Sequence, residues 1–117
     1  MHTPVPGLSP EACAAQSALF ALADTGKAAT AARYFQSGPG QYGEGDLFLG
    51  IRVPVIRATA RKFNTLALDD CAALLQSPYN EVRVLALDVM VRRFAKGNAA
   101  VQTAVYECFM LHRGRIN

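Results

Sequence analysis

The chain has 117 residues, of which 51% are hydrophobic and 18% charged, with a formal net charge of +3. This length and balance suit one compact unit that buries a core, and exclude a disordered polymer. No apolar run approaches the length that spans a bilayer, and Met1 to Ser9 lacks the basic-then-apolar order of a signal peptide, so a cytoplasmic protein is expected.

Taken in chain order, the sequence reads as helices separated by clear punctuation. Ser9-Pro10 supplies an N-cap and a first-turn proline, Glu11 suits the positive end of a helix dipole, and the Ala-rich run carries the first helix to about Asp24. Gly26 is expected to end it and Lys27 to begin a second helix running to Gln36. Gly38, Pro39, Gly40, Gly43 and Gly45 then exclude regular structure. After them Phe48, Leu49 and Ile51 are expected to anchor the loop to the core.

Pro54 fits the first turn of a third helix ending near Phe63. In it Ile56, Thr59, Ala60 and Phe63 share one face, and Arg57 and Arg61 share another at i,i+4. A short fourth helix is expected over Leu68 to Gln76, with Asp69 and Asp70 in its first turn. Ser77-Pro78 is read as the start of a fifth, reaching about Ala95, with Val82, Leu85, Ala86, Val89 and Met90 at helical period. Val84, Leu87 and Val91 make this helix apolar nearly all round, which predicts a position between neighbours. Arg92, Arg93 and Lys96 suit its negative end and Gly97 closes it. Asn98 caps a sixth helix to about His112. Nothing alternates with period two for long, so the fold class is all-α.

Charge is unevenly placed. Residues 1–50 hold Lys27 and Arg33 against Glu11, Asp24, Glu44 and Asp46, whereas residues 51–117 hold ten Lys or Arg against five acids. A basic half suits a polyanion such as nucleic acid, and an ordinary solvated surface accounts for it equally well. Cys13, Cys71 and Cys108 are scattered and form no CxxC pair, and His2 and His112 lie at opposite ends. This pattern points to reduced thiols, with neither a disulfide framework nor a metal site.

Leu74 to Phe94 has the helix, proline turn and helix of a HEAT-type repeat. About three helix pairs stacked as a right-handed solenoid are therefore expected, forming a single domain over residues 1–117. The last helix carries Val101, Ala104, Val105, Cys108, Phe109 and Leu111, more apolar surface than a terminal cap needs. With Gly114 to Asn117 following it, this suggests the N-terminal half of a longer fold, or else self-association through the uncapped end.

The run ARYFQSGPGQYGEGDLFLGIRVPVIRATARKF, Ala32 to Phe63, closely resembles the AlkD-like DNA alkylation repair family. SPYNEVRVLALDVMVRRF continues the likeness, and HRGRIN is similar to the approach to that family's active-site segment. The resemblance implies a HEAT-like DNA glycosylase, without cofactor, that excises positively charged N3- and N7-alkylated purines from duplex DNA. Departure of such a base neutralises it. Catalysis then needs a carboxylate to stabilise the developing charge on the sugar and to place a water. In the family that carboxylate lies in an Asn-Trp-Asp-like segment beyond the equivalent of Asn117. This sequence has no Trp, so no catalytic residue is assigned and the chain alone is expected to be inactive.

Four positions match family positions near DNA or extend them. Tyr34 matches a tyrosine lining the cleft, with core packing as its alternative. Arg52 and Arg57 lie at the start of the third helix, where outward N–H groups and the dipole favour phosphate, with solvated charge as the alternative. Arg61 extends the row by one turn. Arg92 and Arg93 are explained by the helix dipole, Asp88 by a structural hydrogen bond, and Glu44 and Asp46 by turn formation. Tyr42 is expected to be ordered by the glycine loop against the DNA groove. That loop lacks GxxxxGK[ST] and follows a helix, which argues against a nucleotide phosphate loop. The competing functional reading is a small HEAT-like protein–protein interaction module without catalysis.

Overall fold

The computed structural model describes residues 2–34 and 45–112. They form six helices, α1 Pro10–Ala21, α2 Thr25–Tyr34, α3 Val53–Lys62, α4 Leu68–Leu74, α5 Asn80–Lys96 and α6 Ala99–His112. The fold is all-α. Among the described residues, extended pairing is confined to an isolated parallel bridge between Leu47 and Tyr79. None of the described helices is long and apolar enough to cross a membrane.

The near-continuous apolar surface of α5 is covered by four neighbours, α1, α3, α4 and α6. Alternate helices also meet, α1 with α3, α3 with α5 and α4 with α6. That is the contact pattern of a two-layer helical stack. Leu19, Ile56, Leu66, Leu74, Leu85 and Met90 are among the fully buried side chains of the single core. The face predicted for α3 is the one it buries, through Ile56, Thr59 and Ala60, with Phe63 packed at the margin. α2 differs from the others, since it buries no residue fully and packs extensively against no other helix.

Helix starts agree with the capping chemistry in some places and depart from it in others. The Ser9 side chain accepts the Ala12 N–H and donates to Asp70 at 2.6 Å, so one hydroxyl caps α1 and ties it to α4. Gly26 does not end α1. The helix stops at Ala21, and Asp24 starts α2 by accepting the Lys27 N–H at 2.9 Å, leaving Gly26 inside the first turn. α2 is described to Tyr34, and its expected extension to Gln36 lies outside the described residues.

Ser77-Pro78 does not begin α5. Leu47 and the 78–80 segment exchange backbone hydrogen bonds, which hold Tyr79 extended (φ −90°, ψ 126°) and postpone the helix to Asn80. Ser77 instead accepts the Tyr79 N–H within that turn. Gly97 follows α5 as expected, yet its φ is −87°, outside the left-handed region. A Cβ there would lie 2.5 Å from the Val101 side chain and 2.9 Å from the Arg93 carbonyl, so close packing of α6 explains the glycine. Asn98 caps α6 by accepting the Val101 N–H at 3.0 Å.

One constraint places the 45–52 loop. Glu81 is 4% exposed, and its carboxylate accepts the N–H groups of Leu49 (2.8 Å), Gly50 (3.0 Å) and Ile51 (3.4 Å). Arg83, two residues on and also buried, donates to the Ser77 carbonyl at 2.8 Å and to Asp46 at 2.7 Å. The other side of the loop reaches α2, where the Leu49 carbonyl accepts the Asp24 N–H at 2.7 Å. Gly50 makes that approach possible. Its φ is +80°, and a Cβ would stand 2.4 Å from the Asp24 carbonyl oxygen. Among the described residues no buried side-chain nitrogen or oxygen lacks a hydrogen-bond partner.

The thiols are unlinked and differ in burial. Cys71 is enclosed in the core and burial pushes it up to about 12, with nearby Arg93 lowering it and Cys108 and Asp70 raising it further. Cys108 is raised too, first by burial and then by Asp69. Cys13 is exposed.

Two outcomes follow from these arrangements. Glu81→Ala should lower the free energy of unfolding in urea by about 2–4 kcal/mol, because it strands amides that had a charged acceptor, and Glu81→Gln should recover only part of that. The raised Cys71 thiol contributes stability that is complete below its ordinary value of 9.0 and is lost as pH climbs toward about 12. Between pH 8 and 10 the protein should lose on the order of 1 kcal/mol more than Cys71→Ala does, measured by urea unfolding of both.

Candidate functional site

The anchored loop forms one wall of an open groove of about 490 Å³. α2 supplies Lys27, Thr30, Ala31 and Tyr34 on one side. Ile51, Arg52, Val53 and Ile56 lie opposite, and Val84 of α5 contributes to the floor. The floor is therefore largely apolar, and the polar groups stand at the edges.

Tyr34 and Arg52, separated by the glycine-rich segment, both line this groove. Tyr34 is 79% exposed, which excludes core packing as its role. Arg52 is exposed and occupies the N-cap position of α3 with extended backbone (φ −70°, ψ 147°). Arg57 and Arg61 do not line the groove. They are exposed on the flank that Val53 shares at i,i+4 spacing, so the row leads away from the groove along α3. From Arg57 to Arg61 the rise is roughly 6 Å at helical geometry.

The outward amides expected at the start of α3 are fewer than a helix usually offers. Pro54 has no N–H, and the Val55 N–H turns back onto the Arg52 carbonyl at 3.0 Å, which leaves the N–H groups of Arg52 and Val53. Attraction for an anion at this end must come chiefly from the guanidinium side chains.

Among the described acids of the elements around the groove, Asp24 is exposed at the start of α2, and Glu81, Asp46 and Asp88 are engaged. Glu81 lines it, but its oxygens face three loop amides. Asp46 pairs with Arg83 at 2.7 Å, and Asp88 pairs with Arg92 at 2.7 Å in the expected structural role. Lys27 and Arg52 are thus the cations that line the groove among the described residues, beside a largely apolar floor. Among the described residues no group of three His, Cys, Asp or Glu side chains could hold a metal ion. Tyr42 and Glu44 lie outside the described residues.

Sequence reasoning missed Lys27, whose nearness to Arg52 depends on the fold of the loop. It also read Glu81 and Arg83 as generic repeat residues. A signal was present, because an acid and a base two residues apart in a helix apolar nearly all round must find partners when they are buried.

A family model described as DNA alkylation repair enzyme matches residues 15–112 of this chain. That span runs from within α1 to the end of α6 and takes in the groove, the α3 arginines and the Glu81 anchor. Neither a curated protein nor a solved structure gives a match.

Proposed function

This chain belongs to the DNA alkylation repair enzyme family, and we propose that its groove and the adjoining flank of α3 grip the backbone of duplex DNA carrying positively charged N3- or N7-alkylated purines. The observation that carries this reading is the meeting of exposed Tyr34 with Arg52 at one groove, continued by Arg57 and Arg61 along one flank of α3. Arg52, Arg57 and Arg61 serve as phosphate contacts, which position a duplex without reading its sequence. Tyr34 offers an amphipathic ring beside the sugar and base edge.

The reaction assigned is hydrolysis of the glycosidic bond. A cationic base leaves with its bonding electrons and becomes neutral, so a general acid has little to contribute. The remaining requirement is a carboxylate facing the sugar. Glu81, Asp46 and Asp88 are committed to other partners and none is given that role. The chain is accordingly read as the DNA-gripping part of a glycosylase. The meeting of alternate helices, α1 with α3, α3 with α5 and α4 with α6, supports a HEAT-like reading of the stack.

A second reading, a protein-interaction module, is favoured by the outer face of α6, where Tyr106, Phe109, Met110 and the 82%-exposed Leu111 leave apolar surface uncovered. Self-association through that face is the form it would take, and sedimentation at rising concentration tests it.

For the DNA reading, binding to a labelled duplex, followed by fluorescence anisotropy, should be weak, insensitive to sequence and steeply weakened between about 50 and 200 mM salt. Arg52→Glu with Arg57→Glu should reduce affinity about tenfold or more and flatten the salt slope by about one for each phosphate no longer neutralised. Salt-independent affinity, or a double variant that binds as the parent does, would overturn the assignment.

A further inference from the structure

A second, smaller pocket of about 340 Å³ lies where α5 ends, between the α3–α4 turn and the start of α6. Asn64, Thr65, Arg92, Arg93, Lys96 and Val101 line it, with Gly97 at its edge. Three of these are cations and none is a carboxylate. Stabilising the end of α5 would need only solvated cations on extended stems. Here the two guanidinium groups are half-buried and fixed. Arg93 donates to the Leu66 carbonyl across the α3–α4 turn, and Arg92 donates through Nε to Asp88. Each uses one of the five N–H donors of its fork in that anchoring.

The surrounding chain reinforces this arrangement. Close packing at Gly97 draws the start of α6 against the end of α5 and brings Val101, whose N–H is capped by Asn98, to the edge of the pocket. Two carboxylates are bonded to residues that line the pocket, and one of them, Glu11, is exposed. Asp88 is held by Arg92, and Glu11 accepts the Thr65 hydroxyl at 2.7 Å, so that hydroxyl hydrogen is committed elsewhere. The polar side chains left to line the pocket are those of Arg92, Arg93, Lys96 and Asn64.

We propose that this pocket is an anion site for a phosphoryl group, separate from the groove between α2 and α3. Paired, pre-oriented guanidinium forks beside an ammonium match the tetrahedral oxygens of phosphate better than the planar edge of a carboxylate. The phosphoryl group comes either from the backbone of a bound nucleic acid or from a free phosphate species, and the recognising chemistry is the same.

The test is a titration of the whole isotope-labelled chain with inorganic phosphate at constant ionic strength, following the amide resonances of Asn64, Thr65, Gly97 and Val101. Saturable shifts confined to these residues are expected. Lys96→Glu and Arg92→Gln should each weaken them about tenfold, and the exposed Lys96 variant should unfold only slightly earlier, by the small contribution of a cation at the end of α5. Arg93 is unsuited to substitution because it also holds the Leu66 carbonyl. Absence of saturation, or shifts that persist in both variants, overturns the proposal.

A second arm adds a short duplex to the phosphate-loaded protein. Displacement of phosphate, with a salt slope for duplex binding smaller by about one in Lys96→Glu, identifies a backbone phosphate as the ligand. Phosphate binding that the duplex leaves undisturbed identifies a free phosphoryl species. Because the first arm contains no DNA, its outcome is independent of whether the α2–α3 groove binds a duplex.

Discussion

A single carboxylate holds together the parts of this protein that would otherwise drift apart. Glu81 stands in the first turn of the most buried helix and collects three consecutive amides from a loop about thirty residues earlier in the chain. Those amides would be costly to bury unpaired, and the carboxylate would be costly to bury without donors. Each resolves the other's problem. Arg83 repeats the device two residues further along α5 by holding Asp46 and the Ser77 carbonyl. Core packing through Leu49 then fixes the loop's depth, and the Leu49 carbonyl passes the constraint on to Asp24 and so to α2.

This arrangement also sets the electrostatics of the groove. Burying Glu81 among loop amides and pairing the half-buried Asp46 with Arg83 withdraws these two acids from the surface that Lys27 and Arg52 border, while Asp24 stays exposed at the start of α2. A surface that must approach a polyanion gains as much from acids withdrawn as from bases added, since each exposed carboxylate would repel phosphate over about a Debye length. The pocket at the end of α5 follows this rule only in part, since Asp88 is paired with Arg92 whereas Glu11, bonded to the Thr65 hydroxyl, is exposed.

Much of the fold was legible because its signals are local. Ser9-Pro10 and Asn98 announce helix starts, and the spacing of Ile56, Thr59 and Ala60 announces a buried face. The failures fall where a distant segment overrides the local rule. Ser77-Pro78 has the chemistry of a helix start, yet pairing with Leu47 keeps the chain extended for two further residues. Gly26 has the chemistry of a helix end, yet Asp24 captures it for the next helix. The roles of Arg92 and Arg93 were half-visible. Their suitability for a helix terminus could be read from position alone, but their anchoring to Asp88 and Leu66 requires the turn between α3 and α4 to fold over them. Tyr34 was a candidate only through the family resemblance of the run that contains it, and its exposure could be learned only from the fold.

The way α2 is attached has a consequence for hydrogen exchange. Among the described residues, every other helix is secured by side chains in the common core, whereas α2 has no fully buried residue of its own and its first turn is joined to the loop through Asp24. Its amides should therefore open in a local transition whose free energy lies well below that of global unfolding. The two walls of the groove thus belong to different cooperative units. On that expectation the amides of the α3–α5 wall exchange with global unfolding, and those of the α2 wall exchange earlier.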